Sequence, residues 1–264
     1  MNVLFIGYGR MGGALGNAWL RGELVSHLSI VDPGLTPDPE QGRYARLEEV
    51  PAERAFDLIV LAVKPAYASA ALAGLNDRQC SQAVVVSVAA GVTERTLSNA
   101  VGQRSPVVRA MPNTPVLVGA GCTGLYANEQ LDTARRAIIS GLFEAVGTAY
   151  WVAEEGLLDA VTAISGSGPA YYHLFSEALA EAGIKLGLDP QLARDLAAQT
   201  AFGAATLQHQ PHANFTDLRI AVTSPNGTTA AAIDVFETQA KLRELVEAAT
   251  SAAHRRSIEL SNES

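Results

Sequence analysis

A glycine-rich segment near the amino terminus limits the folds that this chain can adopt more than any other feature. The apolar run Val3 to Gly7 leads directly into Gly7-Tyr8-Gly9-Arg10-Met11-Gly12, and Met11 to Leu20 follows with helical spacing. In such a strand–loop–helix unit the first glycine permits a tight turn, the second lets a pyrophosphate approach, and the third lets the helix pack on the strand. The segment therefore predicts a dinucleotide site, with backbone N–H groups facing the phosphates, made by Gly7, Gly9, Arg10, Met11 and Gly12.

The residue at the end of the second strand bears on the choice of coenzyme. Leu28 to Asp32 is the strand candidate, and Asp32 is its last residue. An acid there hydrogen-bonds the adenosine ribose and repels a 2′-phosphate, which favours NADH over NADPH. The alternative is that Asp32 only caps a turn with Pro33 and Gly34. Two further alternatives stay open, since Arg10 can contact phosphate or point into water, and a glycine-rich turn can occur without a nucleotide.

Short apolar runs alternate with helical patterns through the first half of the chain. Asp57 to Val63 and Ala83 to Val88 lack polar alternation, which is typical of strands buried on both faces. This alternation predicts an α/β fold with a parallel sheet covered by helices on both faces. The other predicted helices are Ala66 to Leu75, Thr93 to Val101 and Glu129 to Val146, and the other strands are Pro106 to Ala110, Cys122 to Ala127 and Thr148 to Val152.

The pattern changes near residue 153, beyond which every periodic segment fits a helix. We therefore predict a dinucleotide-binding domain over residues 1–153 and an all-helical domain over residues 154–264. The longer helices carry apolar residues over much of their circumference, so they need more than one packing partner and predict contact with another subunit. The predicted helices are Leu157 to Ser165, Ala170 to Leu186, Pro190 to Leu207, Asp217 to Val222, Thr229 to Thr238 and Lys241 to Leu260.

The composition excludes several classes of function. A formal net charge of -8 disfavours a general nucleic-acid surface, which needs a cationic footprint. Cys80 and Cys122 form no Cys-x-x-Cys pair, and the five histidines show no ligand spacing, so we expect two ordinary buried thiols and no metal site. No apolar stretch is long enough to cross a membrane, and the amino terminus lacks a signal-peptide pattern. We therefore expect a cytoplasmic protein with no membrane partner.

Four further segments show a resemblance to a known family. Leu61 to Pro65 ends the third strand, Ser87 to Thr93 ends the fourth, and Arg109 to Pro115 follows the fifth. Each lies at the carboxyl end of a strand, where open α/β sheets bind ligands. Together with Thr223-Ser224-Pro225-Asn226-Gly227-Thr228-Thr229, the most specific of the four, they resemble the Δ1-pyrroline-5-carboxylate reductase family. The resemblance runs in order from Met1 to about Leu260.

The resemblance implies a fold, an activity and partners. It implies a Rossmann-type parallel sheet domain followed by an all-helical dimerisation domain, in homodimers that often assemble into decamers. It implies that NADPH or NADH reduces the cyclic imine 1-pyrroline-5-carboxylate to L-proline, the last step of proline biosynthesis. In the family, segments that match Val63, Lys64, Pro65, Ala89, Ala90 and Asn113 line the cofactor pocket, and we include the adjoining Ala62.

The last of the four segments is the predicted substrate site. In the family, the loop that matches Asn226 to Thr229 holds the imino acid, and we include Val222 just before it. The residues themselves indicate a turn at Pro225 to Gly227 before Thr228 and Thr229 open a helix, which is an anion site suited to a carboxylate. The Thr229 hydroxyl can bond the ring nitrogen, which makes Thr229 the predicted catalytic residue. The alternative is that Thr228 or Thr229 only caps the helix.

One residue and one short segment need separate comment. Many members of the family have glycine where this chain has Asn226, but asparagine tolerates left-handed backbone angles, so we expect the loop to keep its shape. The segment Ser165 to Pro169 is either a wall of small residues around the pocket or a helix kink, and the residues alone favour the kink.

Two other classes of function share parts of this pattern. A hydroxyacid or 6-phosphogluconate-type dehydrogenase usually carries a catalytic lysine in its helical domain, and here Lys185 and Lys241 lie in no motif of that kind. A non-catalytic nucleotide sensor would keep the fold and lose the chemistry, and the intact loop around Thr229 argues against it.

Overall fold

The computed structural model describes residues 1–263, and these form two compact units. The first contains Met1–Ser167 and the residues from Ala253 onward, and the second contains Gly168–Ala252. The division lies after the predicted boundary at residue 153 because the intervening chain packs on the sheet: a Cβ on Gly124 would lie 2.7 Å from Cγ1 of Val161. The boundary at residue 153 stays a prediction about the domains.

An eight-stranded sheet forms the centre of the first unit. Its order is β3-β2-β1-β4-β5-β6-β7-β8, and all neighbours are parallel except β6 and β7. The predicted parallel sheet is therefore confirmed. The strands are β1 (Asn2–Ile6), β2 (His27–Val31), β3 (Arg43–Tyr44), β4 (Leu58–Leu61), β5 (Val84–Ser87), β6 (Val107–Met111), β7 (Gly121–Ala127) and β8 (Gly147–Trp151).

Two strands differ from the simple prediction. Strand β7 runs antiparallel to β6 because the link between them contains only a 3-10 turn at Thr114–Val118, whereas a parallel neighbour needs a crossover of about a dozen residues or more. Strand β3 has only Arg43 and Tyr44, which is too short to produce a period in the sequence, and it was not predicted.

Helices cover both faces of the sheet. Trp19 is fully buried against Phe5 and Phe143 on one face, and Leu72 and Leu97 are fully buried on the other. These side chains close two apolar layers, so the strands between them are shielded from water on both sides. The helices of this unit are α1 (Arg10–Arg21), α2 (Ala68–Ala73), α3 (Asp77–Cys80), α4 (Glu94–Ala100), α5 (Thr133–Glu144) and α6 (Leu157–Val161).

The segment after α6 is an irregular turn. It is a π-helical turn at Thr162–Gly166, closed by the N–H of Ser167, which donates to the carbonyl of Thr162 at 2.8 Å. The predicted interruption of the helical pattern at Ser165 to Pro169 takes this form. Single π-turns within helices are often found at functional sites.

The second unit, over the residues described, contains helices only. Asp189 begins the second of them by accepting the N–H groups of Gln191 and Leu192, as Asp189-Pro190 predicts. Large apolar side chains stay exposed here, with Phe215 and Val235 each 70% accessible. The helices are α7 (Gly168–Lys185), α8 (Pro190–Gln208), α9 (Phe215–Ala221), α10 (Thr228–Glu237) and α11 (Lys241–Glu263), whose residues from Ala253 onward are part of the first unit.

The predicted fold class is confirmed by these two units, a Rossmann-type sheet domain followed by a helical region. Across residues 1–263, none of the helices combines the length and the apolar character that a membrane span requires.

Candidate functional site

The glycine loop packs closely against the sheet at two of its three glycines. Gly7 has a φ of +90°, and a Cβ there would lie 2.5 Å from the carbonyl oxygen of Ala62. A Cβ on Gly12 would lie 2.5 Å from the carbonyl oxygen of Gly7. A Cβ on Gly9 would meet no atom within 4 Å, so that position faces open space. Two packed glycines and one open glycine are the arrangement that a pyrophosphate cradle needs.

Helix α1 begins inside this loop. Gly9 is its N-cap, and the N–H of Gly13 donates to the carbonyl of Gly9 at 2.8 Å. The N–H groups of Arg10, Met11 and Gly12 precede this bond, so they have no partner within the helix. They form a positive helix terminus that can hold an anion. The Arg10 side chain is exposed, whereas Met11 packs on the core and offers the site its backbone.

Asp32 follows the last residue of β2 and contacts the glycine loop. Its Oδ2 accepts the N–H of Tyr8 at 2.6 Å, and its Oδ1 accepts the N–H of Gly34 at 2.8 Å. The second bond is the turn cap that the sequence offered as an alternative, and the first ties the end of β2 to the loop. A carboxylate oxygen can accept more than one hydrogen bond, so both oxygens of Asp32 can also accept bonds from ribose hydroxyls.

The other predicted cofactor residues follow neighbouring strands. Residues 62–65 come after β4, residues 89–90 after β5 and Asn113 after β6. Because these strands all run parallel to β1 in the same sheet, all of these residues lie at the same edge of the sheet as Gly7. Ala89 is buried, Ala62 and Val63 are half-buried, and Lys64, Pro65 and Ala90 are exposed.

Asn113 has bonds that the sequence did not reveal. The side chain is buried, its Nδ2 donates to the carbonyl of Ser165 at 3.1 Å, and its Oδ1 accepts the N–H of Cys122 at 2.9 Å. The amide thereby joins the loop after β6 to the start of β7 and to the π-helical turn. These bonds hold the loop after β6 in a fixed position.

A partly buried ion pair contacts the start of α4. Arg109 on β6 is only 9% accessible, and its Nη1 donates to Oε1 of Glu155 at 2.8 Å. The same oxygen accepts the backbone N–H of Glu94, the first residue of α4. Oε1 of Glu94 in turn accepts Nδ2 of Asn128 at 2.9 Å. These four residues join β6, α4 and the segments that follow β7 and β8.

Two groups have raised pKa values, one in this cluster and one next to it. Burial raises the pKa of the Glu94 carboxyl, and the neighbouring Glu155 carboxylate raises it further. Tyr126 is paired with Arg109 across β6 and β7, and burial, followed by the charges of Glu155 and Glu94, raises the pKa of its hydroxyl. Both groups therefore hold their protons more tightly than they do in the unfolded chain.

In the second unit, the predicted substrate loop is a tight turn. The N–H of Gly227 donates to the carbonyl of Ser224 at 3.0 Å, and Asn226 has a φ of +58°. Proline followed by a left-handed residue is typical of a type II turn. Asn226 thus adopts the left-handed conformation that the sequence predicts. A Cβ on Gly227 would lie 2.5 Å from Oγ of Ser224 and 3.1 Å from its carbonyl oxygen, so a larger residue there would displace Ser224.

The helix after this turn has free N–H groups at its start. Gly227 is the N-cap of α10 and provides no side-chain cap, so neither threonine is the N-cap residue. The N–H of Gly227 is used within the turn, whereas those of Thr228 and Thr229 have no partner within the helix. Thr228 is exposed and Thr229 is half-buried. Val222, the C-cap residue that follows α9, is 65% accessible.

The described residues show how the metal-ligating side chains and the two thiols are distributed. Among residues 1–263, no three His, Cys, Asp or Glu side chains are grouped closely enough to hold a metal ion. Cys80 is buried, and burial raises the pKa of its thiol. Cys122 was expected to be buried but is partly accessible, because it lies at the start of β7.

Comparison with known proteins identifies the family. The chain is 41% identical over 266 residues to pyrroline-5-carboxylate reductase of Pseudomonas aeruginosa, covering 99% of this chain and 97% of the relative. It is 40% identical to the reductase of Mycobacterium tuberculosis, with 94% of each chain covered. The chain belongs to the pyrroline-5-carboxylate reductase family. Residues 2–91 match a family profile described as NADP oxidoreductase coenzyme F420-dependent. Residues 155–260 match a profile described as pyrroline-5-carboxylate reductase dimerisation.

Solved structures of the family have the same fold over the whole chain. A pyrroline-5-carboxylate reductase from Coxiella burnetii superposes with a TM-score of 0.85 at 35% identity, covering 98% of each chain. Pyrroline carboxylate reductase from Plasmodium falciparum, solved with NADP bound, gives the same score at 29% identity, covering 99% of this chain and 98% of the other.

The cluster around Arg109 was missed in the sequence of this reductase-family member. One signal was available: an arginine within the apolar run of β6 needs a buried partner, because an unpaired buried charge is strongly unfavourable. The partner, Glu155, is 46 residues further along, and no local pattern indicates it. The bond from Tyr8 to Asp32 was likewise missed, since it joins two loops separated by a helix.

We predict that Glu94→Gln makes stability less dependent on pH. Because its folded-state pKa is raised, Glu94 stabilises the fold below the ordinary glutamate pKa of about 4.3, and this contribution is lost as pH rises through the raised value. Glutamine is neutral and keeps an oxygen for Asn128. The variant should therefore match the wild type below about pH 4 and melt at a higher temperature near pH 7.

Thermal melts over that pH range test this prediction. Glu129→Gln, at an exposed position, is the control and should follow the wild type. A constant difference between Glu94→Gln and the wild type at every pH would contradict the prediction.

Proposed function

We propose that this chain reduces the cyclic imine 1-pyrroline-5-carboxylate to L-proline with hydride from NADPH or NADH. The observation that carries the proposal is the turn at Ser224 to Gly227 followed by the open start of α10, in a chain 41% identical to a named pyrroline-5-carboxylate reductase over 99% of its length. The glycine loop of the first unit supports the coenzyme half of the proposal, because its geometry fits a pyrophosphate.

The reaction needs few catalytic groups from the protein. A nicotinamide coenzyme supplies a hydride, which adds to the imine carbon while the protonated ring nitrogen becomes an amine. A protonated imine is already an electrophile, so no acid–base pair is needed to activate it. The protein therefore has to bind the substrate, orient it and exclude water.

The substrate residues of the proposal are those of the turn and the helix start. The N–H groups of Thr228 and Thr229 would hold the carboxylate at the positive end of α10. The Thr229 hydroxyl would contact the ring nitrogen, which makes Thr229 the proposed catalytic residue. Asn226 and Gly227 give the loop its shape, and the exposed Val222 offers an apolar surface next to it.

The coenzyme residues of the proposal lie at one edge of the sheet. The backbone N–H groups that open α1 would hold the pyrophosphate, and Asp32 would bind the adenosine ribose. Its charge favours NADH over NADPH. The set comprises Gly7, Gly9, Arg10, Met11, Gly12, Asp32, Ala62, Val63, Lys64, Pro65, Ala89, Ala90 and Asn113.

Oxidation of NADH and NADPH, followed with 1-pyrroline-5-carboxylate as substrate, tests the function directly. Turnover with the imine and none with hydroxyacids or 6-phosphogluconate is the expected result. Coenzyme binding without any turnover would favour a nucleotide sensor, and turnover of a hydroxyacid would favour a dehydrogenase.

We also propose that the protein acts as a homodimer in the cytoplasm, with a decamer as the larger assembly. The exposed apolar side chains of the second unit and the match of residues 155–260 to a dimerisation profile support the dimer. Residues 154–264 would form that domain. Light scattering at micromolar protein tests the assembly, and a stable, active monomer of 27.7 kDa would refute it.

Gly9→Val should weaken coenzyme binding and leave the fold intact. A branched side chain fits the open space around Gly9 but would occupy the place of the pyrophosphate. We expect coenzyme affinity to fall roughly ten- to a hundredfold, the effect of forcing a side chain into a packed contact. Gly12→Val is the contrasting variant, and it should unfold more easily because its Cβ would overlap the carbonyl of Gly7. Unchanged coenzyme affinity in Gly9→Val would refute the assignment.

Asp32→Asn should move the coenzyme preference toward NADPH. A unit charge next to a 2′-phosphate in a partly exposed pocket changes the binding energy by roughly 1 to 4 kcal/mol, so the ratio of kcat/KM for NADH and NADPH should change about tenfold or more. The loss of one backbone bond would weaken both coenzymes alike, and the ratio isolates the charge. A wild type that clearly prefers NADPH would contradict this role.

Thr229→Ala should reduce kcat/KM for the imine by roughly ten- to a hundredfold, the effect of losing one hydrogen bond to a charged group. Thr229→Val keeps the shape and should behave in the same way. Coenzyme affinity should barely change, and Thr228→Val, at the exposed neighbouring position, is the matched control. Reduced stability with unchanged kcat/KM would show that Thr229 only supports the helix.

A further inference from the structure

We infer that Glu155 is a positioning residue for the coenzyme loop, which we define as residues 88–93 between β5 and α4. The inference rests on the proposed function, in which Ala89 and Ala90 of this loop line the coenzyme site. The carboxylate of Glu155 fixes the point where α4 begins, and that point fixes the path of the two alanines.

The coenzyme loop is short and is held at both ends. At its start, the N–H of Val88 donates to the carbonyl of Leu61 at 3.0 Å, in register with the sheet. At its end, Thr93 caps α4 by accepting the N–H of Thr96 at 3.2 Å. With so few residues between two fixed points, any movement of the first turn of α4 changes the backbone of the loop.

Glu155 holds the backbone of this first turn from outside the helix. Its Oε1 accepts the N–H of Glu94, one of the four N–H groups that a helix start leaves without an internal partner. The negative charge lies at the positive end of α4, which is a favourable arrangement. Arg109, at 2.8 Å from the same oxygen, balances the charge of Glu155 and limits its movement. The start of α4 is therefore fixed by a partly buried ion pair that belongs to other segments.

The middle of the coenzyme loop is restrained independently. Gly91 has a φ of +79°, and a Cβ on it would lie 3.1 Å from the carbonyl carbon of Leu260, near the end of α11. The backbone near the end of α11 therefore leaves little room on that side of Gly91, and the loop can move only toward its other side. A displacement of Glu94 is passed along the loop in that direction, toward Ala89 and Ala90.

Two substitutions separate the bond to Glu94 from the charge that balances Arg109. Glu155→Asp keeps the charge but shortens the side chain by one methylene, and the long Arg109 side chain can follow it whereas the backbone N–H of Glu94 cannot. Glu155→Gln keeps the length and an acceptor oxygen but removes the charge, which leaves Arg109 buried without a counter-charge. Glu154→Asp, at the exposed neighbouring position, is the matched control.

The two variants should change different quantities, one mainly the coenzyme KM and the other mainly Tm. Glu155→Asp should raise the KM and the Kd for the coenzyme about tenfold, and it should lower Tm by less than Glu155→Gln does, because it loses one hydrogen bond but keeps the ion pair with Arg109. Glu155→Gln should lower Tm by several degrees while the coenzyme KM stays within about threefold of the wild type. The KM for the imine should change in neither variant, and Glu154→Asp should match the wild type throughout.

A merely structural role predicts a different result, in which coenzyme KM and imine KM change together and follow Tm. That result, or a wild-type coenzyme Kd in Glu155→Asp, would overturn the inference. If Glu155→Asp fails to fold, the double substitution Arg109→Met with Glu155→Leu removes the acceptor without leaving a buried charge, and it should raise the coenzyme KM equally. Binding is measured by fluorescence titration with NADH and NADPH alone, so failure of the inference is distinguishable from failure of the proposed function, which appears as absent imine turnover in the wild type.

Discussion

Burial of the central strands on both faces is the constraint on which the first unit depends. All of the residues of β4 and β5 are buried, so neither face of these strands can tolerate water. Each strand is then followed by a crossover that covers one face of the sheet and brings the chain back to the end where the strand began. Helices satisfy this requirement. As a consequence, the loops that follow β1, β2, β4, β5 and β6 meet at one edge. The glycine loop, Asp32 and the predicted coenzyme residues are neighbours because the core leaves no other arrangement.

Polar side chains hold the loops that follow these strands by bonding to backbone groups. Asp32 accepts an N–H of the glycine loop, Asn113 bonds to the start of β7 and to the π-helical turn, and Glu155 accepts the first N–H of α4. In each case the side chain and its partners belong to separate segments. Hydride transfer to an imine depends mainly on how the two reactants are placed. Residues that only place the backbone therefore matter to the proposed reaction even where they touch neither reactant.

The second unit follows a different physical rule. Its helices are rich in alanine and apolar on several sides, and side chains such as Phe202, Phe215 and Leu245 stay more than half accessible. Apolar surface on this scale is unfavourable in water and typical of an interface between subunits. The same unit contains one closely constrained polar element, the turn at Ser224 to Gly227. Its geometry is local, which explains why a short segment of sequence was enough to predict it.

The sequence by itself determined the features whose causes are local. The glycine loop, the buried runs of β4 and β5, the cap at Asp189 and the left-handed Asn226 depend on residues within a few positions of one another, and each was predicted. Only the tertiary structure decided the features that join distant segments. The antiparallel β7, the short β3, the bonds of Asn113 and the pairing of Arg109 with Glu155 were of this kind. The physical reason is that periodicity and capping act through neighbouring residues, whereas a buried polar group takes whichever partner the packed chain brings within hydrogen-bond distance.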